Sequence, residues 1–220
     1  MFDRYVIHDR SVNLVSHVKY AYMDRKALDR EAWMAGVRQF DEDQVMRDVL
    51  EVFWHKGFAA TSMQELAAAT GVQRGSLYNA YGGKEALFLQ AYHRYQERYL
   101  DGVRHALAPA DIRAALTGFF DYSISMIRTN RRGCLTTKTA TDEGADSPRI
   151  RDTLRRLTDA LEACLRERLS RSADALRIPP DAAARLLVTF TRGVVVVERL
   201  YDDPDRLQAD ARALIDMLVR

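Results

Sequence analysis

Apolar residues recur at helical spacing along nearly the whole chain after residue 40. The first such series places apolar side chains three and four positions apart, on one face of a helix. It consists of Val45, Val49, Leu50, Phe53 and Trp54. The same spacing predicts further helices over residues 62–69, 74–81, 84–103, 110–129, 134–142, 148–171, 180–201 and 205–219. Because no segment shows the period of two typical of strands, the pattern predicts an all-α fold.

Glycine, proline and hydroxyl side chains mark where these helices start and end. Gly57 suits a left-handed cap at the end of the first helix. Thr61 followed three residues later by Gln64 has the capping-box pattern, which predicts Thr61 as the N-cap of the next helix. Proline is favoured in a first turn, and Pro180 and Pro204 mark the starts of the last two helices.

Composition and charge limit the class of protein. The 220 residues are 47% hydrophobic and 29% charged, as in a globular protein. No run reaches the roughly 18 apolar residues of a membrane span, and charged residues interrupt the first thirty positions. We therefore expect a cytoplasmic protein without a membrane partner. The net charge of +2 indicates nothing about other partners.

The sequence lacks the motifs of enzymes and metalloproteins. Two cysteines, Cys134 and Cys164, do not make a disulfide framework, and no Cys or His pair has zinc-ligand spacing. There is no nucleophile elbow and no phosphate-binding glycine loop. We expect no catalytic residue, no metal and no cofactor.

Residues 62–81 have the pattern of a helix-turn-helix, in which the second helix presents one face to the DNA major groove. Gly71 suits the turn between the two helices. Four residues are placed to pack the helices together, namely Leu66, Ala67, Val72 and Leu77. We therefore expect a nucleic-acid interface on the outer face of the second helix.

The predicted outer face is polar and contains Gln73, Arg74, Ser76 and Asn79. Arginine commonly binds guanine through two hydrogen bonds, so Arg74 is the best candidate for base discrimination. Gly75 leaves room for the backbone to approach DNA. Tyr78 and Lys84 flank the helix and suit phosphate contacts, which position a protein without reading sequence.

The segment from Gly57 to Leu87 resembles the DNA-binding domain of the TetR family of bacterial transcriptional repressors. The resemblance rests on the strings Gly57-Phe58, Thr61-Ser62, Glu65-Leu66-Ala67, Gly71-Val72, Gly75-Ser76-Leu77-Tyr78 and Lys84-Glu85-Ala86-Leu87. It implies a homodimer that binds a palindromic operator in double-stranded DNA and is released by a small-molecule inducer. The candidate DNA contacts are Thr61, Ser62, Gln64, Gln73, Arg74, Gly75, Ser76, Tyr78, Asn79 and Lys84.

The resemblance also implies a larger C-terminal helical domain that dimerises and binds the inducer. The helix at 180–201 is apolar on more than one side, which indicates burial on more than one side, and the last helix adds a further apolar series. The candidate dimer interface comprises Leu186, Phe190, Val194, Val197, Leu214 and Leu218, the alternative being a core within one chain. The candidate ligand pocket comprises Phe119, Phe120, Tyr122, Met126, Ile127, Cys134 and Phe190. We expect a bound inducer to pivot the helix at 84–103.

The string Gly133-Cys134-Leu135 resembles a subgroup of electrophile- or drug-responsive repressors. A cysteine at a helix N-terminus near arginines can react as the thiolate. The alternative is that Cys134 is a small packing residue, as free cysteines usually are. The inducer is therefore expected to be an electrophile or an apolar organic compound.

The chain divides into a segment at 1–33, a DNA-binding domain at 34–88 and an inducer-binding and dimerisation domain at 89–220. We interpret residues 1–33 as disordered, or as upstream sequence translated from a misplaced start codon before Met34. The alternative is an N-terminal arm that enters the DNA minor groove. A ligand-independent architectural DNA-binding protein is the alternative function, and a DNA-bound protein would lie in the nucleoid.

Overall fold

The computed structural model describes residues 40–129 and 133–220. These residues form nine α-helices and no β-strand, which confirms the all-α prediction. The helices are α1 (Glu42–Lys56), α2 (Met63–Thr70), α3 (Arg74–Tyr81), α4 (Lys84–Ala106), α5 (Ile112–Arg128), α6 (Leu135–Ala140), α7 (Pro148–Ser170), α8 (Pro180–Tyr201) and α9 (Pro204–Leu218). All nine belong to one compact unit, Glu42–Arg220. The predicted N-terminal segment 1–33 lies outside the described residues.

Three phenylalanine rings hold the first helices against α4. The ring centroid of Phe88 on α4 lies 5.1 Å from that of Phe53 and 5.3 Å from that of Phe58, with both pairs near perpendicular. Edge-to-face pairs of this kind add about 0.5–1.5 kcal/mol beyond the burial of their area. Leu66 of α2 and Leu77 of α3 are also fully buried, so apolar residues of α2 and α3 belong to the core.

The glycine caps were predicted correctly, but the capping box was assigned one residue too early. Gly57 and Gly71 both adopt left-handed backbone conformations, with φ of +87° and +67°. The N-cap of α2 is Ser62 rather than Thr61, because the Ser62 hydroxyl accepts the Glu65 backbone N–H. The Glu65 carboxylate accepts the Ser62 N–H in return. This pairing is reciprocal, as the capping box requires.

The long helix α4 connects the helix-turn-helix to the remaining helices. It packs against α1 on one side and against α5 and α7 on the other. The predicted domain boundary at 88/89 therefore falls inside a single helix, and the division into two domains stays a prediction. α4 also continues to Ala106, three residues beyond the predicted end, with Arg104 and His105 in its last turn, where cations are favourable.

The C-terminal helices begin where the prolines predict. Pro148, Pro180 and Pro204 occupy the first turns of α7, α8 and α9. α6 is shorter than predicted because Asp142 accepts the Gly144 N–H and starts a separate 3-10 turn. None of the helices in the described part of the chain is long and apolar enough to cross a membrane.

Candidate DNA-binding site and ligand cavity

The helix-turn-helix is formed by α2, the turn at Gly71 and α3. Leu66, Val72 and Leu77 are buried between the helices, as predicted, while Ala67 is half-buried. The left-handed conformation of Gly71 reverses the chain within three residues, which L side chains seldom allow. The outer face of α3 is thereby fixed in orientation by an apolar core behind it.

The outer face presents unused hydrogen-bonding groups to solvent. Gln64, Gln73, Ser76 and Asn79 are exposed, and their side chains form no hydrogen bond with the residues that the structure describes. Arg74 is also exposed, and its guanidinium carbon lies 5.5 Å from the centre of the Tyr78 ring. These polar groups are free to bind a partner outside the chain.

Three predicted contact residues use their polar groups within the chain instead. Thr61 is only 2% exposed, and its hydroxyl donates to the Gly57 carbonyl at 2.7 Å. Thr61 therefore closes the loop after α1, and its hydroxyl is not available for a DNA contact. The ammonium of Lys84 donates to the Phe58 carbonyl at 3.0 Å and lies over the Phe58 ring, which leaves it half-buried. Ser62 is exposed, but its hydroxyl serves the α2 cap.

The segment that contains the outer face of α3 has a net positive charge, although the positive and negative charges of the whole chain nearly cancel. Between residues 61 and 84 the sequence has one acid, Glu65, and two cations, Arg74 and Lys84. Glu65 forms an ion pair with Lys56, and hydrogen bonds from Lys56 and Ser62 lower the pKa of Glu65 to about 2. Its charge is therefore balanced locally, and no unpaired carboxylate in this segment would repel phosphate.

A small cavity lies among the helices behind the DNA-binding unit. It has a volume of about 30 Å³, room for about two water molecules. Its walls include four of the residues predicted for the ligand pocket, Phe120, Met126, Ile127 and Cys134.

Three predicted pocket residues do not line the cavity. Phe119 is fully buried beside Phe120, with ring centroids 5.2 Å apart. Phe190 packs edge-on against the Phe120 ring, at 5.5 Å, outside the cavity lining. Tyr122 stacks on Tyr99 at 5.8 Å. Helical spacing groups these aromatic rings correctly but does not show which of them face empty space.

Sequence reasoning missed the cavity residues contributed by distant helices. These are chiefly Trp54 of α1, Tyr95 and Tyr99 of α4, and Arg192 of α8. Burial raises the pKa of both tyrosines, which keeps their hydroxyls neutral. The sequence does indicate the two cavity tyrosines, because the spacing of Tyr92, Tyr95 and Tyr99 places three tyrosines along one face of α4.

Cys134 lies at the junction of the cavity and α6. The nearest Arg192 guanidinium nitrogen, Nη1, is 3.4 Å from the Cys134 Sγ atom. Cys134 is half-buried and directly precedes α6, where its backbone conformation is extended. The sulfur therefore forms part of the cavity wall beside a permanently charged group.

The element that carries Cys134 is attached to the end of α1. The indole N–H of Trp54 donates to the Gly133 carbonyl at 3.0 Å. The Lys138 ammonium donates to the Trp54 and His55 carbonyls, at 2.8 and 2.7 Å. The Asp142 carboxylate accepts the Ala59 backbone N–H. The α6 segment thus contacts both the cavity and the DNA-binding unit.

The predicted dimer interface is partly used within the chain. Val194 and Leu218 are buried in this single chain, so they pack in its core. Leu186 is 50% exposed, and Phe190, Val197 and Leu214 are half-buried. The sequence prediction missed two of the most exposed apolar side chains, Leu200 at 71% and Met217 at 67%.

A short helix, a glycine turn and a second helix with a polar outer face define a helix-turn-helix DNA-binding protein. Comparison with protein families agrees: residues 49–91 match the model for bacterial regulatory proteins of the tetR family. Residues 110–214 match the tetracyclin repressor-like C-terminal domain. The chain belongs to the TetR family of transcriptional regulators, and neither its family nor its fold is that of an enzyme.

Known relatives cover most of the chain. An uncharacterized HTH-type transcriptional regulator, YezE of Bacillus subtilis strain 168, is 28% identical over 78% of this chain and 92% of its own length. The HTH-type transcriptional repressor ComR of Escherichia coli K12 is 27% identical over 71% of this chain and 76% of its own. Among solved structures, a cysteine mutant of the TetR family regulator CifR, complexed with operator DNA, has a TM-score of 0.73. It is 24% identical and covers 81% of this chain and 97% of its own, so it shows the shared fold.

Proposed function

We propose that the protein is a repressor that binds a palindromic operator as a homodimer and is released when a small molecule enters the cavity. The observation that carries this proposal is the α3 outer face, whose polar side chains lack partners among the described residues. The family also includes a relative named as a repressor and a structural neighbour solved on operator DNA. A DNA-bound protein of this kind would lie in the nucleoid.

Within the interface, Arg74 is the proposed base-reading residue. Its side chain is exposed, and the Tyr78 ring beside it limits the directions that the guanidinium can take. Gln73 and Asn79 would add polar contacts, while Ser76 and Tyr78 would bind phosphates. Lys84 would bind a phosphate only if its ammonium releases or shares the Phe58 carbonyl.

The operator is tested by measuring affinity with a duplex selected from random oligonucleotides. Arg74→Ala should weaken binding by about 1–3 kcal/mol and relax the preference at one base pair of each half-site. Arg156→Ala is the matched control, because Arg156 is an exposed arginine on α7, away from the helix-turn-helix. Equal affinities for Arg74→Ala and the parent protein would refute the assignment of Arg74.

The proposed dimer interface is the exposed apolar face of α8 and α9. Dimerisation is typical of the family, and the face contains Leu186, Phe190, Val197, Leu200, Leu214 and Met217. Apolar patches of this kind on a helix pair favour association. A dimer would place two copies of α3 at the spacing of two operator half-sites.

The proposed coupling between ligand and DNA runs through α6. A ligand that enlarges the cavity would displace Gly133 and Cys134, which line it. That displacement would strain the bonds from Gly133 and Lys138 to the end of α1. By linkage, the ligand must bind the DNA-incompetent conformation more tightly than the DNA-competent one. A pivot of α4, which shares the cavity through Tyr95 and Tyr99, would then change the spacing of the two α3 helices.

We also propose that Cys134 reacts with electrophilic inducers. Its support is the position of the sulfur in the cavity wall, 3.4 Å from a guanidinium nitrogen. An alkene such as N-ethylmaleimide would form a carbon–sulfur bond with the thiolate and take a proton at the adjacent carbon. Release of operator DNA by this reagent should disappear in Cys134→Ser. Cys164→Ser is the control, and release that persists in Cys134→Ser would refute the sensing role.

The alternative, a ligand-independent architectural DNA-binding protein, has a weaker basis. An architectural protein has no need of a cavity whose wall is bonded to the DNA-binding unit. Operator affinity that no cavity-binding molecule changes would favour the alternative.

A further inference from the structure

Arg192 lines the cavity without a carboxylate partner. It forms no ion pair with any residue that the structure describes, and its Nε atom is buried with no hydrogen-bond partner. Among the described residues, its one hydrogen-bond contact is with the Cys134 sulfur, a weak acceptor. A guanidinium is always charged, so the cavity wall contains a positive charge that no carboxylate in residues 40–129 or 133–220 pairs with.

The surroundings make this charge costly. The rings of Trp54, Tyr95, Tyr99 and Phe120 line the same cavity. A charge placed among apolar groups loses its hydration, and the loss is recovered only through hydrogen bonds or an opposite charge. The neighbouring tyrosines do not supply that charge, because burial raises the pKa of Tyr95 and Tyr99 and keeps both neutral.

A more deeply buried arginine on α7 shows how this fold can satisfy such a group. Arg168 of α7 is more deeply buried, and its guanidinium donates to the carbonyls of Leu107, Pro109 and Ala110 and to the Ser172 hydroxyl. Those bonds fasten α7 to the loop after α4, so Arg168 has a structural role. Arg192 has no comparable set of acceptors in the part of the chain that the structure describes, so the contrast indicates that its partner is a ligand.

We propose that the molecule recognised by the cavity is a small aromatic or apolar anion whose carboxylate pairs with Arg192. This inference rests on the proposed function, because it names the chemical class of the inducer. The rings of Trp54 and Tyr99 would contact the apolar body, and the buried Ser123 on the same wall would donate to the anion. At about 30 Å³ the cavity must expand to admit such a body, and expansion is what would displace the α6 segment.

The test compares two probes of the same shape, 2-naphthoate and its uncharged amide, 2-naphthamide. Calorimetry on the full-length protein should show 2-naphthoate binding about tenfold or more tightly, since a charge-assisted pair is stronger than a neutral hydrogen bond. In Arg192→Gln the preference should vanish while 2-naphthamide still binds, which shows that the cavity is intact. In Arg192→Lys part of the preference should remain. Arg185→Gln, an exposed arginine on the same helix, is the control and should keep the full preference.

Three results would overturn the inference: no binding of 2-naphthoate, equal affinities for the two probes, or a preference that survives in Arg192→Gln. The proposed function is tested separately, by operator binding in the absence of either probe. If the protein binds no operator, the function fails even where the anion preference holds. If the protein binds an operator and only uncharged molecules release it, the proposed function holds and the proposed anion site is wrong.

Discussion

Gly75 offers a substitution whose effects on stability and on DNA binding should have opposite signs. It is the second residue of α3 and lies on the exposed face. A Cβ atom built there meets nothing within 4 Å, and Gly75 is absent from the positive-φ glycines. The chain itself therefore has no structural need for glycine at this position.

The magnitude follows from helix propensity. Glycine in a helix is less stable than alanine by roughly 0.5–1 kcal/mol, because it loses more backbone freedom on folding. With no steric clash to oppose this gain, Gly75→Ala should raise the free energy of unfolding by up to about 1 kcal/mol. In a chain of this size that gain corresponds to a rise in melting temperature of about 2–4 °C.

Operator affinity should fall in the same variant if the α3 backbone approaches DNA at Gly75. A graded series of Gly75→Ala, Gly75→Ser and Gly75→Leu should lose affinity as the side chain grows. Melting temperature is read by circular dichroism and affinity by fluorescence anisotropy with the selected duplex. The matched control is Thr117→Ala, an exposed position on α5, where a similar gain in stability should leave affinity unchanged.

Affinity that stays constant or increases along the Gly75 series would contradict a close approach of the α3 backbone to DNA. It would mean that the outer face of α3 does not approach DNA closely at this position. A loss of stability in Gly75→Ala would contradict the open space found around Gly75, because a methyl group there should meet no neighbouring atom.

Three further outcomes are expected. Lys138→Met removes two hydrogen bonds from a charged donor to the end of α1. The free energy of unfolding, measured in urea, should therefore fall by about 1–3 kcal/mol. An unchanged urea midpoint would contradict the attachment of α6 to α1. Burial raises the pKa of Tyr92, Tyr95 and Tyr99, so the unfolded chain ionises these hydroxyls at a lower pH than the folded chain does. The contribution of these tyrosines to stability should therefore be constant well below pH 10 and should fall above it, by up to about 1.4 kcal/mol per pH unit for each tyrosine. Equal urea midpoints at pH 9 and 11 would argue against buried hydroxyls. Leu200→Glu places a charge on the exposed face of α8 and should shift the protein from dimer to monomer in sedimentation velocity, whereas an intact dimer would exclude Leu200 from the interface.

Local features of the fold could be predicted because their causes are local. Gly57, Gly71 and the helix-initiating prolines act through their own backbone preferences, and the structure places each as expected. The capping box shows the limit of this reasoning. Thr61 with Gln64 and Ser62 with Glu65 are overlapping patterns, and tertiary contacts separate them: the Thr61 hydroxyl bonds to the Gly57 carbonyl, and Glu65 pairs with Lys56 of the preceding helix.

The cavity and the exposed face could be predicted only in part because they depend on which side of each helix is buried. α8 is apolar around much of its surface, so its sequence does not distinguish the buried Val194 from the exposed Leu200. Trp54 and Arg192 lie 138 positions apart in the sequence, and no local pattern connects them. Only tertiary packing brings both side chains to one cavity.

We propose that two copies of α3 read a symmetric DNA sequence. Selection of random duplexes by the full-length protein tests it most directly, because the enriched sequences report symmetry, spacing and base preference together. We expect a palindrome whose half-sites are centred about one helical turn of DNA, or a multiple of it, apart. Arg74→Ala should weaken the preference at one base pair of each half-site. Enrichment of no sequence, or of a single asymmetric site, would contradict the claim.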